Sequence, residues 1–593
     1  MKKINRNTAI FIVLAILWQS GNTQLFTEQT GILLTGIYGS FAWGDYDNDN
    51  DLDILLSGES KTGGVSKIYR NNGNNTFTEQ TSITLMGLCF SNVAWGDYNN
   101  DNYLDILMTG CDDFQCSHFI SKIFRNNGDN SFSEQLNTNL TGVAGGYSTW
   151  GDYDNDGDLD ILLSGTIGNF INISKIYRNN GDNTFTDQND ITLTGVTDGS
   201  GIWGDYDNDG DLDAFLSGCE VDYSSNFYSI IYKNEGNGSL IVQDGIPIEG
   251  IVGSSVWGDY DEDGNLDILL SGMDWYENEI TKIYHNNGDN TFSEQNIITS
   301  IQFGSHSANW CDYDNDGDPD ILLPTTIDSF YIATIHRNDG DNTFSEQSEI
   351  SDTGITSIKL APGDYDNDGD PDMLITGYDS SINKVTQIYR NNVLASNATP
   401  STPANLYVTV DGDNTVFKWD RSADAETSQK GLSYNLAIRN TDNGKMYNAP
   451  MSDLITGYRR IVAMGNANLD TSWIIKKLYP GNYRAYAQAI DNAFAGSNFD
   501  SVNFTVTGAG NNNTLTIEDI IVFPVPASDE IIIQSQLNEL EVELFDCMGS
   551  CVYMGTLKGS KKLINVSAMP KGVYFLKVHK DIKTGITIKV AVE

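Results

Sequence analysis

Seven aspartate-rich segments are the part of this sequence with the clearest chemical potential. In the third of them, Asp152, Asp154, Asp156 and Asp160 occupy positions 1, 3, 5 and 9 of a short loop, and Gly157 occupies position 6. Clustered carboxylates repel one another unless a cation lies among them, and Ca²⁺ takes about six to eight oxygen ligands in proteins. Glycine at position 6 permits the positive φ of a sharp turn. The pattern therefore predicts a metal-binding loop in which position 7 adds a backbone carbonyl.

The same loop occurs in all seven segments, so positions 1, 3, 5, 7 and 9 of each supply the candidate metal-binding residues. These are Asp45, Asp47, Asp49, Asp51 and Asp53; Asp97, Asn99, Asp101, Tyr103 and Asp105; Asp152, Asp154, Asp156, Asp158 and Asp160; Asp205, Asp207, Asp209, Asp211 and Asp213; Asp259, Asp261, Asp263, Asn265 and Asp267; Asp312, Asp314, Asp316, Asp318 and Asp320; and Asp364, Asp366, Asp368, Asp370 and Asp372. Asn50 and Asn102 replace the glycine at position 6 in the first two loops, and asparagine also tolerates positive φ. The second loop has only three acids, which puts its metal affinity in question.

Two other structures could account for acidic loops of this kind. An EF-hand needs Glu at position 12, whereas the twelfth residue of the third loop is Leu163. A solvated acidic turn without metal is the simpler alternative, but it does not explain seven copies in register. A calcium loop between two β-strands is therefore predicted.

The loops recur at spacings of 52, 55, 53, 54, 53 and 52 residues. Each unit contains four short alternating segments, which in the third unit are Ser148–Tyr153, Leu159–Ser164, Ser174–Asn179 and Thr184–Gln188. The turn at residues 180–183 joins the last two as a hairpin. Four strands per unit at this repeat length are typical of a propeller blade. The predicted fold class is all-β, with a seven-bladed β-propeller over residues 24–395.

The register of the units predicts how the ring closes. A fourth strand of the Phe-Thr/Ser-Glu/Asp-Gln type follows most loops, as in Phe77–Gln80 and Phe344–Gln347, but the last unit stops after Asn392 without one. One copy, Phe26–Gln29, instead precedes the first unit. An N-terminal strand that completes the last blade would leave no open sheet edge.

With these motifs in view, residues 25 to about 395 resemble the FG-GAP/VCBS family, the integrin-α-like seven-bladed propellers. The resemblance rests on the Asp-x-Asp-x-Asp-Gly-x-x-Asp loops and implies about seven Ca²⁺ ions, one per blade, held by the residues at positions 1, 3, 5 and 9. Tryptophan precedes the Gly-Asp pair in most units, and Pro362 replaces it in the seventh. We expect these tryptophans to pack between blades.

Charge excludes one class of partner. The chain has 34 basic and 81 acidic residues and a formal charge of −47. Nucleic-acid binding needs a basic face, so nucleic acid is not expected as a partner.

The N-terminal segment predicts export. Lys2, Lys3 and Arg6 precede the apolar run 9–18 and then polar residues, which is the pattern of a secretory signal peptide over residues 1–23. The seven cysteines allow local disulfides between Cys111 and Cys116 or between Cys547 and Cys551, while Cys89, Cys219 and Cys311 are expected to be small buried residues.

The C-terminal third is divided by composition. A linker at 396–403 leads to residues 404–507, where Trp419, Leu432–Leu436 and Leu478–Tyr483 resemble a fibronectin type III module, and such modules are usually spacers. A second linker at 508–514 leads to residues 515–593. There Pro524–Pro526, the Phe545–Gly549 segment and Met569–Val578 resemble the C-terminal sorting domain of the type IX secretion system of Bacteroidetes. This resemblance implies the outer-membrane secretion machinery as a partner, and a protein that is secreted or attached to the outer cell surface.

Three functions fit these features. The first is a monomeric, non-enzymatic recognition or adhesion protein for glycan or protein ligands. The alternatives are a polysaccharide-degrading lyase or hydrolase on a propeller scaffold, and a structural surface-layer spacer. The loops between second and third strands vary in length and carry aromatic residues, which indicates a ligand face. Its candidate residues are Tyr223, Phe227, Tyr228, Trp275, Tyr276, Phe330, Tyr331 and Tyr378.

Overall fold

The computed structural model describes residues 25–169, 171–220, 226–295, 307–327, 330–347 and 355–507, and then 520–523, 527, 530–535, 540–546, 550–558, 561–567, 569–579 and 585–592. Throughout these ranges the regular elements are β-strands, and none of the described residues is helical. No helix in the described ranges could therefore cross a membrane. The proposed signal peptide and the linker at 508–514 lie outside the described residues.

Residues 25–391 form seven four-stranded antiparallel sheets, one for each loop. Sheets 1 to 6 consist, in order, of Tyr38–Gly44, Asp53–Ser60, Gly63–Asn71 and Phe77–Glu79; of Cys89–Gly96, Asp105–Cys111, Phe119–Asn126 and Phe132–Glu134; of Ser148–Gly151, Asp160–Thr166, Asn172–Asn179 and Phe185–Asp187; of Gly201–Gly204, Asp213–Cys219, Phe227–Asn234 and Leu240–Val242; of Ile251–Gly258, Asp267–Asp274, Glu279–Asn286 and Phe292–Gln295; and of Asn309–Cys311, Asp320–Ile327, Phe330–Asn338 and Phe344–Gln347. Each aspartate loop joins the first two strands of its sheet.

Sheet 7 is completed by the N-terminal strand. Its own strands are Thr356–Gly363, Asp372–Tyr378 and Lys384–Asn391, and Phe26–Glu28 pairs with the last of these. The register places Phe26 opposite Asn391 and Glu28 opposite Tyr389. The strand pairing predicted for Phe26–Gln29 is thus confirmed.

The second strand of each sheet is the most deeply buried. In sheet 1, Ile54, Leu55 and Leu56 are all 0% exposed, because consecutive side chains point to opposite faces of the sheet and both faces are covered. The third strand of sheet 1 also contacts a neighbouring sheet, since the side-chain amide of Asn71 at its end donates to the Tyr365 carbonyl at 2.7 Å. That bond links sheet 1 to sheet 7, and the seven sheets therefore close a ring.

Residues 404–507 form a second β-layer structure within the same compact unit as the ring. One sheet contains Ala404–Asp411, Asn414–Asp420 and Ser472–Lys476, and the other contains Ser433–Asn440, Met446–Tyr447, Gly481–Ile490 and Asp500–Val506. Phe417, Trp419, Tyr434 and Trp473 form its core. We call residues 404–507 the docking module, because they contact the aspartate loops, as described below. A spacer would make few such contacts.

The C-terminal residues form a separate compact unit from Gly508 to Glu593. Its strands are Ile521–Phe523, Glu530–Gln534 and Lys561–Asn565 in one sheet, and Leu540–Phe545, Cys551–Leu557, Gly572–His579 and Gly585–Val592 in the other. Ile531, Leu544, Leu576 and Val590 lie in its core.

The cysteines follow the sequence-based expectation in part. Cys111 and Cys116 form a disulfide. Cys89, Cys219 and Cys311 are buried, as expected of small apolar side chains. The alternative pair cannot be described, because Cys547 lies outside the described residues.

Candidate metal centre

Each aspartate loop is folded by its own carboxylates. In the third loop, Asp152 Oδ1 accepts the amide of Asp156 at 3.0 Å and Oδ2 accepts that of Gly157 at 2.9 Å. Asp160 Oδ2 accepts the amide of Tyr153 at 3.1 Å. Side chains that bond to nearby amides favour turns over strands, so the two flanking strands end at the loop.

Two loop residues need positive φ. Gly157 at position 6 has φ of 88°, and Asn155 at position 4 has φ of 56°. Asn50 and Asn102, which replace the position-6 glycine, have φ of 66° and 69°. The predicted role of position 6 is confirmed, and position 4 is a second such site that the sequence-based reasoning missed.

The position-3 carboxylate carries the strongest indication of a cation. Asp154 Oδ1 is buried without a hydrogen-bond partner, and the same atom is unpartnered in Asp47, Asp207, Asp261, Asp314 and Asp366. Asp152, Asp154 and Asp160 each place one oxygen so that all three lie within 4.8 Å of one another. A buried polar atom without a partner costs about 1–3 kcal/mol, and its repetition in six loops makes this oxygen the best candidate for a metal ligand.

Every loop is also contacted by a basic side chain from the third strand. In the third repeat, Arg178 Nε lies 2.8 Å from Asp154 Oδ2 and Nη2 lies 3.1 Å from Asp156 Oδ2. The equivalent residues are Arg70, Arg125, Lys233, His285, Arg337 and Arg390. The guanidinium leaves Asp154 Oδ1 untouched, and one positive charge faces five carboxylates in that loop. The sequence carried this signal, since a basic residue precedes the last asparagine of every third strand.

Burial makes these carboxylates reluctant to ionise. Burial raises the pKa of Asp97 to about 7 and that of Asp213 to about 8. Burial, together with the neighbouring Asp156, raises the pKa of Asp152 well above its ordinary value. A divalent cation would favour the ionised forms of these carboxylates. The raised pKa values therefore agree with the oxygen ligands that the loops offer to a metal ion.

The second loop departs from the others as the sequence indicated. Asn99 at position 3 accepts the amide of Asp101 at 3.0 Å. Among the candidate ligand residues of this loop, the buried atoms without a hydrogen-bond partner are Asn99 Nδ2 and Asp105 Oδ2, so this loop also offers one carboxylate oxygen to a cation.

Neighbouring loops are joined by the asparagine at position 4. Asn155 Nδ2 donates to the Gly210 carbonyl of the next loop and to Asp211 Oδ1, both at 2.8 Å. Loop 5 has Glu262 at this position. There Asn492 of the docking module donates instead to the Gly317 carbonyl at 2.8 Å, and to Glu262 Oε1 at 3.1 Å.

The docking module lies across the loops. The amide of Asp45 donates to the Arg460 carbonyl at 2.9 Å, and the amide of Lys476 donates to the Asn155 carbonyl at 2.7 Å. Lys476 Nζ also pairs with Asp211 at 2.8 Å, and Lys430 Nζ donates to the Asp263 carbonyl at 2.9 Å. The module therefore covers the loop end of the sheets.

Cover is least complete at the seventh loop. Asp364, its position-1 residue, is half-buried, whereas Asp45 and Asp205 are 0% exposed. A cavity of about 440 Å³ lies beside it, lined by Asp364, Tyr458 and Phe494 among others. The cavity was not predictable from the sequence, because its lining comes from distant segments.

The candidate ligand face lies at the other end of the sheets, because antiparallel strands put the second-to-third connections opposite the aspartate loops. Trp275 is 47% and Tyr276 78% exposed, and Phe227 meets the Trp275 ring edge-to-face at 5.6 Å. Tyr228 donates to Glu220 at 3.1 Å, and Tyr378 lies 5.3 Å from the Tyr38 ring. Phe330 and Tyr331 begin a strand of sheet 6, and Tyr223 lies outside the described residues.

Comparison with known families identifies two regions of the chain. Residues 55–108, 272–323 and 330–375 match the FG-GAP-like repeat. Residues 521–593 match the secretion system C-terminal sorting domain. No curated protein matches the chain.

Solved structures are similar only distantly. A fungal alcohol oxidase of the AA5 family, in complex with copper, is 14% identical over 80% of this chain and 100% of its own, with a TM-score of 0.40. The extracellular domain of a one-component system of B. thetaiotaomicron is 12% identical over 82% of this chain and 58% of its own, with a TM-score of 0.36. PorZ, a surface component of the type IX secretion system of Porphyromonas gingivalis, is 11% identical over 93% of this chain and 81% of its own, with a TM-score of 0.19.

The sorting domain indicates export by the type IX secretion system, to the cell surface or into the medium, and hence an interaction with that machinery. The chain therefore contains FG-GAP-like repeats and a secretion system C-terminal sorting domain, the two features of a secreted cell-surface protein.

Proposed function

We propose that this protein is a non-enzymatic recognition protein of the cell surface, built on a seven-bladed β-propeller whose loops bind about seven Ca²⁺ ions. The observation that carries the calcium proposal is the unpartnered Oδ1 of the position-3 aspartate, which recurs in six loops. The seven sheets and their closed ring support the propeller.

A hard cation such as Ca²⁺ suits these loops better than a soft metal. The candidate ligands are carboxylate, amide and backbone oxygens, which hard cations prefer, whereas soft metals prefer sulfur and nitrogen. Bound Ca²⁺ would be held by the residues at positions 1, 3, 5 and 9 and the carbonyl at position 7. It would neutralise their charge and join the ends of the first two strands.

We assign the docking module to the fibronectin type III-like class. Its strands divide into sheets of three and four, and Tyr483 donates its hydroxyl to the Tyr479 carbonyl at 2.7 Å. A tyrosine that bonds back to the backbone a few residues upstream is typical of such sandwiches.

Recognition is proposed at the end of the ring opposite the aspartate loops. The module covers the loop end, whereas Trp275 and Tyr276 expose large aromatic surfaces at the other end. Exposed aromatic groups gathered on one surface are typical of interaction sites. The ligand would be an extracellular glycan or protein.

No catalytic residue is assigned. The loop carboxylates that could act as acid and base are bonded to amides and to basic side chains, as Asp156 is to Arg178, and the module lies over them. Acid–base catalysis needs such groups within reach of a substrate.

Two experiments test the proposal. Elemental analysis of protein dialysed against Ca²⁺ should give about seven ions per chain. A glycan array and a cell-binding assay should then detect a ligand for the wild type that the double variant Trp275→Ala, Tyr276→Ala no longer binds.

Tyr407→Ala is the matched control, because this tyrosine of the docking module is 51% exposed and lies outside the ring sheets. It should bind like the wild type. Absence of bound calcium would contradict the metal centres, and unchanged binding by the double variant would contradict the recognition surface.

A further inference from the structure

One carboxylate of the docking module lies directly against a loop carboxylate. Asp470 interacts with Asp205, which occupies position 1 of loop 4, and the adjacent Leu469 lies in one hydrophobic cluster with Tyr206 of that loop. Asp205 is 0% exposed and Asp470 is half-buried. Two carboxylates this close repel each other unless a proton or a cation joins them.

The basic groups nearby bond to other acceptors. Lys233 Nζ contacts Asp207 and Asp209, and Lys476 Nζ pairs with Asp211. Arg421 exerts an electrostatic effect on Asp470, but its Nη1 donates to the Gln429 carbonyl at 3.1 Å. Among the described side chains, no basic group is hydrogen-bonded to both Asp205 and Asp470.

Loop 4 also contains a buried carboxylate oxygen without a partner, which is an independent indication of cation binding. The Asp207 side chain is 4% exposed, and its Oδ1 is buried without a hydrogen-bond partner. Asp205, Asp207 and Asp213 each place an oxygen within 4.8 Å of the other two. Asp470 therefore lies beside one member, Asp205, of an oxygen cluster that already contains an unsatisfied carboxylate.

We propose that Asp470 is a ligand of the divalent cation in loop 4, supplied by the docking module. This inference rests on the calcium binding proposed above. It makes loop 4 a metal site shared between the ring and the module.

At the first two loops, the docking module supplies a basic residue instead of an acid. Arg460 exerts a favourable electrostatic effect on the position-1 residues Asp45 and Asp97. A cation from the protein thus faces those loops, whereas an additional acid faces loop 4. We therefore expect the metal-dependent contact between the ring and the docking module to lie at loop 4.

The test uses the full-length protein with Asp470→Asn, and Asp411→Asn as the matched control. Asp411 is an exposed carboxylate of the module, in the hairpin between its first two strands. Calcium binding is measured by titration calorimetry and elemental analysis, and the Tm is measured in Ca²⁺ and in chelator.

We expect Asp470→Asn to weaken one calcium site at least about tenfold and to lose about one ion per chain at a free Ca²⁺ concentration that just fills the wild type. Its Tm should be lower than that of the wild type in Ca²⁺. In chelator its Tm should be equal or higher, because one of two repelling carboxylates is gone. Asp411→Asn should match the wild type in every measurement.

Other results would overturn the proposal. A Tm lowered equally in Ca²⁺ and in chelator would mean that the two carboxylates share a proton or serve only packing. Unchanged calcium binding by Asp470→Asn would reject this inference alone, whereas a wild type that binds no calcium would reject the proposed metal centres as well. If Asp470→Asn does not fold, hydrogen exchange on the wild type decides the question. Ca²⁺ must then slow exchange at residues 469–471, and no slowing would overturn the proposal.

Discussion

The indole of Trp43 lies against Gly363, which joins sheet 1 to sheet 7. A Cβ at Gly363 would lie 2.7 Å from Trp43 Cδ1. The equivalent tryptophans of repeats 2 to 6 each lie against a glycine of the preceding repeat. The pairs are Trp95–Gly44, Trp150–Gly96, Trp203–Gly151, Trp257–Gly204 and Trp310–Gly258. Pro362 replaces the tryptophan of the seventh repeat, and the residue it would have covered in the sixth is Cys311 instead of glycine. Glycine thus occupies this position in each repeat that packs against a tryptophan indole of the next repeat.

Gly363→Ala should destabilise the ring, because the added methyl group overlaps the Trp43 indole. Overpacking of this kind costs about 1–3 kcal/mol in the free energy of unfolding, measured by denaturant titration. Gly31→Ala is the control, since a Cβ at Gly31 would meet nothing within 4 Å. Equal stability of the two variants would contradict the packing role of Gly363.

Asn492→Ala should weaken the contact between the docking module and loops 5 and 6. The variant leaves the Gly317 carbonyl without the bond that Asn492 now donates, at an expected cost of about 1–3 kcal/mol. The measurement is the free energy of unfolding, with limited proteolysis of the 396–403 linker as a second readout.

Glu262→Asn provides a rescue of Asn492→Ala. It restores the asparagine that other loops use to bond the following loop, as Asn155 bonds Gly210. The double variant should therefore recover much of the lost stability. Failure to recover any would argue that Asn492 acts on another part of the interface.

Asp154→Ala should lower the Tm in Ca²⁺ more than Asp190→Ala, an exposed acid outside the loops. Occupancy of one site at about 100-fold excess over Kd contributes about 2.7 kcal/mol to the free energy of unfolding, and the variant loses a ligand of that site. In chelator the two variants should differ much less. A large difference in chelator would mean that Asp154 stabilises the loop mainly through Arg178.

The metal-free protein should lose stability as the pH rises from 5 to 8.5. Burial raises the pKa of Asp45 to about 6, of Asp97 to about 7 and of Asp312 to about 8, against about 3.9 for an unfolded aspartate. The folded state then holds more protons than the unfolded state over this range. This contribution to stability is complete below about pH 4 and is lost as the pH rises through the folded pKa values.

Ca²⁺ should reverse this trend, because it binds the ionised carboxylates and competes with their protons. The measurement is the Tm against pH in chelator and in saturating Ca²⁺. A Tm in chelator that rises between pH 5 and pH 8.5 would contradict the assignment of these buried acids.

The sequence predicted what repeats and is local. Gly157 and Asn50 at position 6 marked the turns, and the misplaced copy at Phe26 marked the strand that completes sheet 7. The pairing of Arg178 with Asp154 was equally regular but was missed, because it joins a loop to a strand end more than 20 residues away. The docking of residues 404–507 was not predictable from periodicity, since Arg460 and Asn492 lie in irregular connections and Lys476 ends a strand, and no pattern relates these three residues to the loops. Their positions depend on the module's tertiary fold.

The pairing of Phe26–Glu28 with the seventh repeat constrains the order in which the protein folds, and this order has a consequence for export. The side-chain amide of Asn392 donates to the Thr27 hydroxyl 365 residues earlier in the chain, so the first of the described strands must wait for the seventh repeat before it can pair. Loop closure over such a distance is slow, and unfinished β-sheets expose edges that aggregate. Until the seventh repeat arrives, the growing chain has one unpaired edge at each end. A chaperone that binds extended strands would protect this interval, and a chain stalled before Asn392 should be degraded rather than displayed.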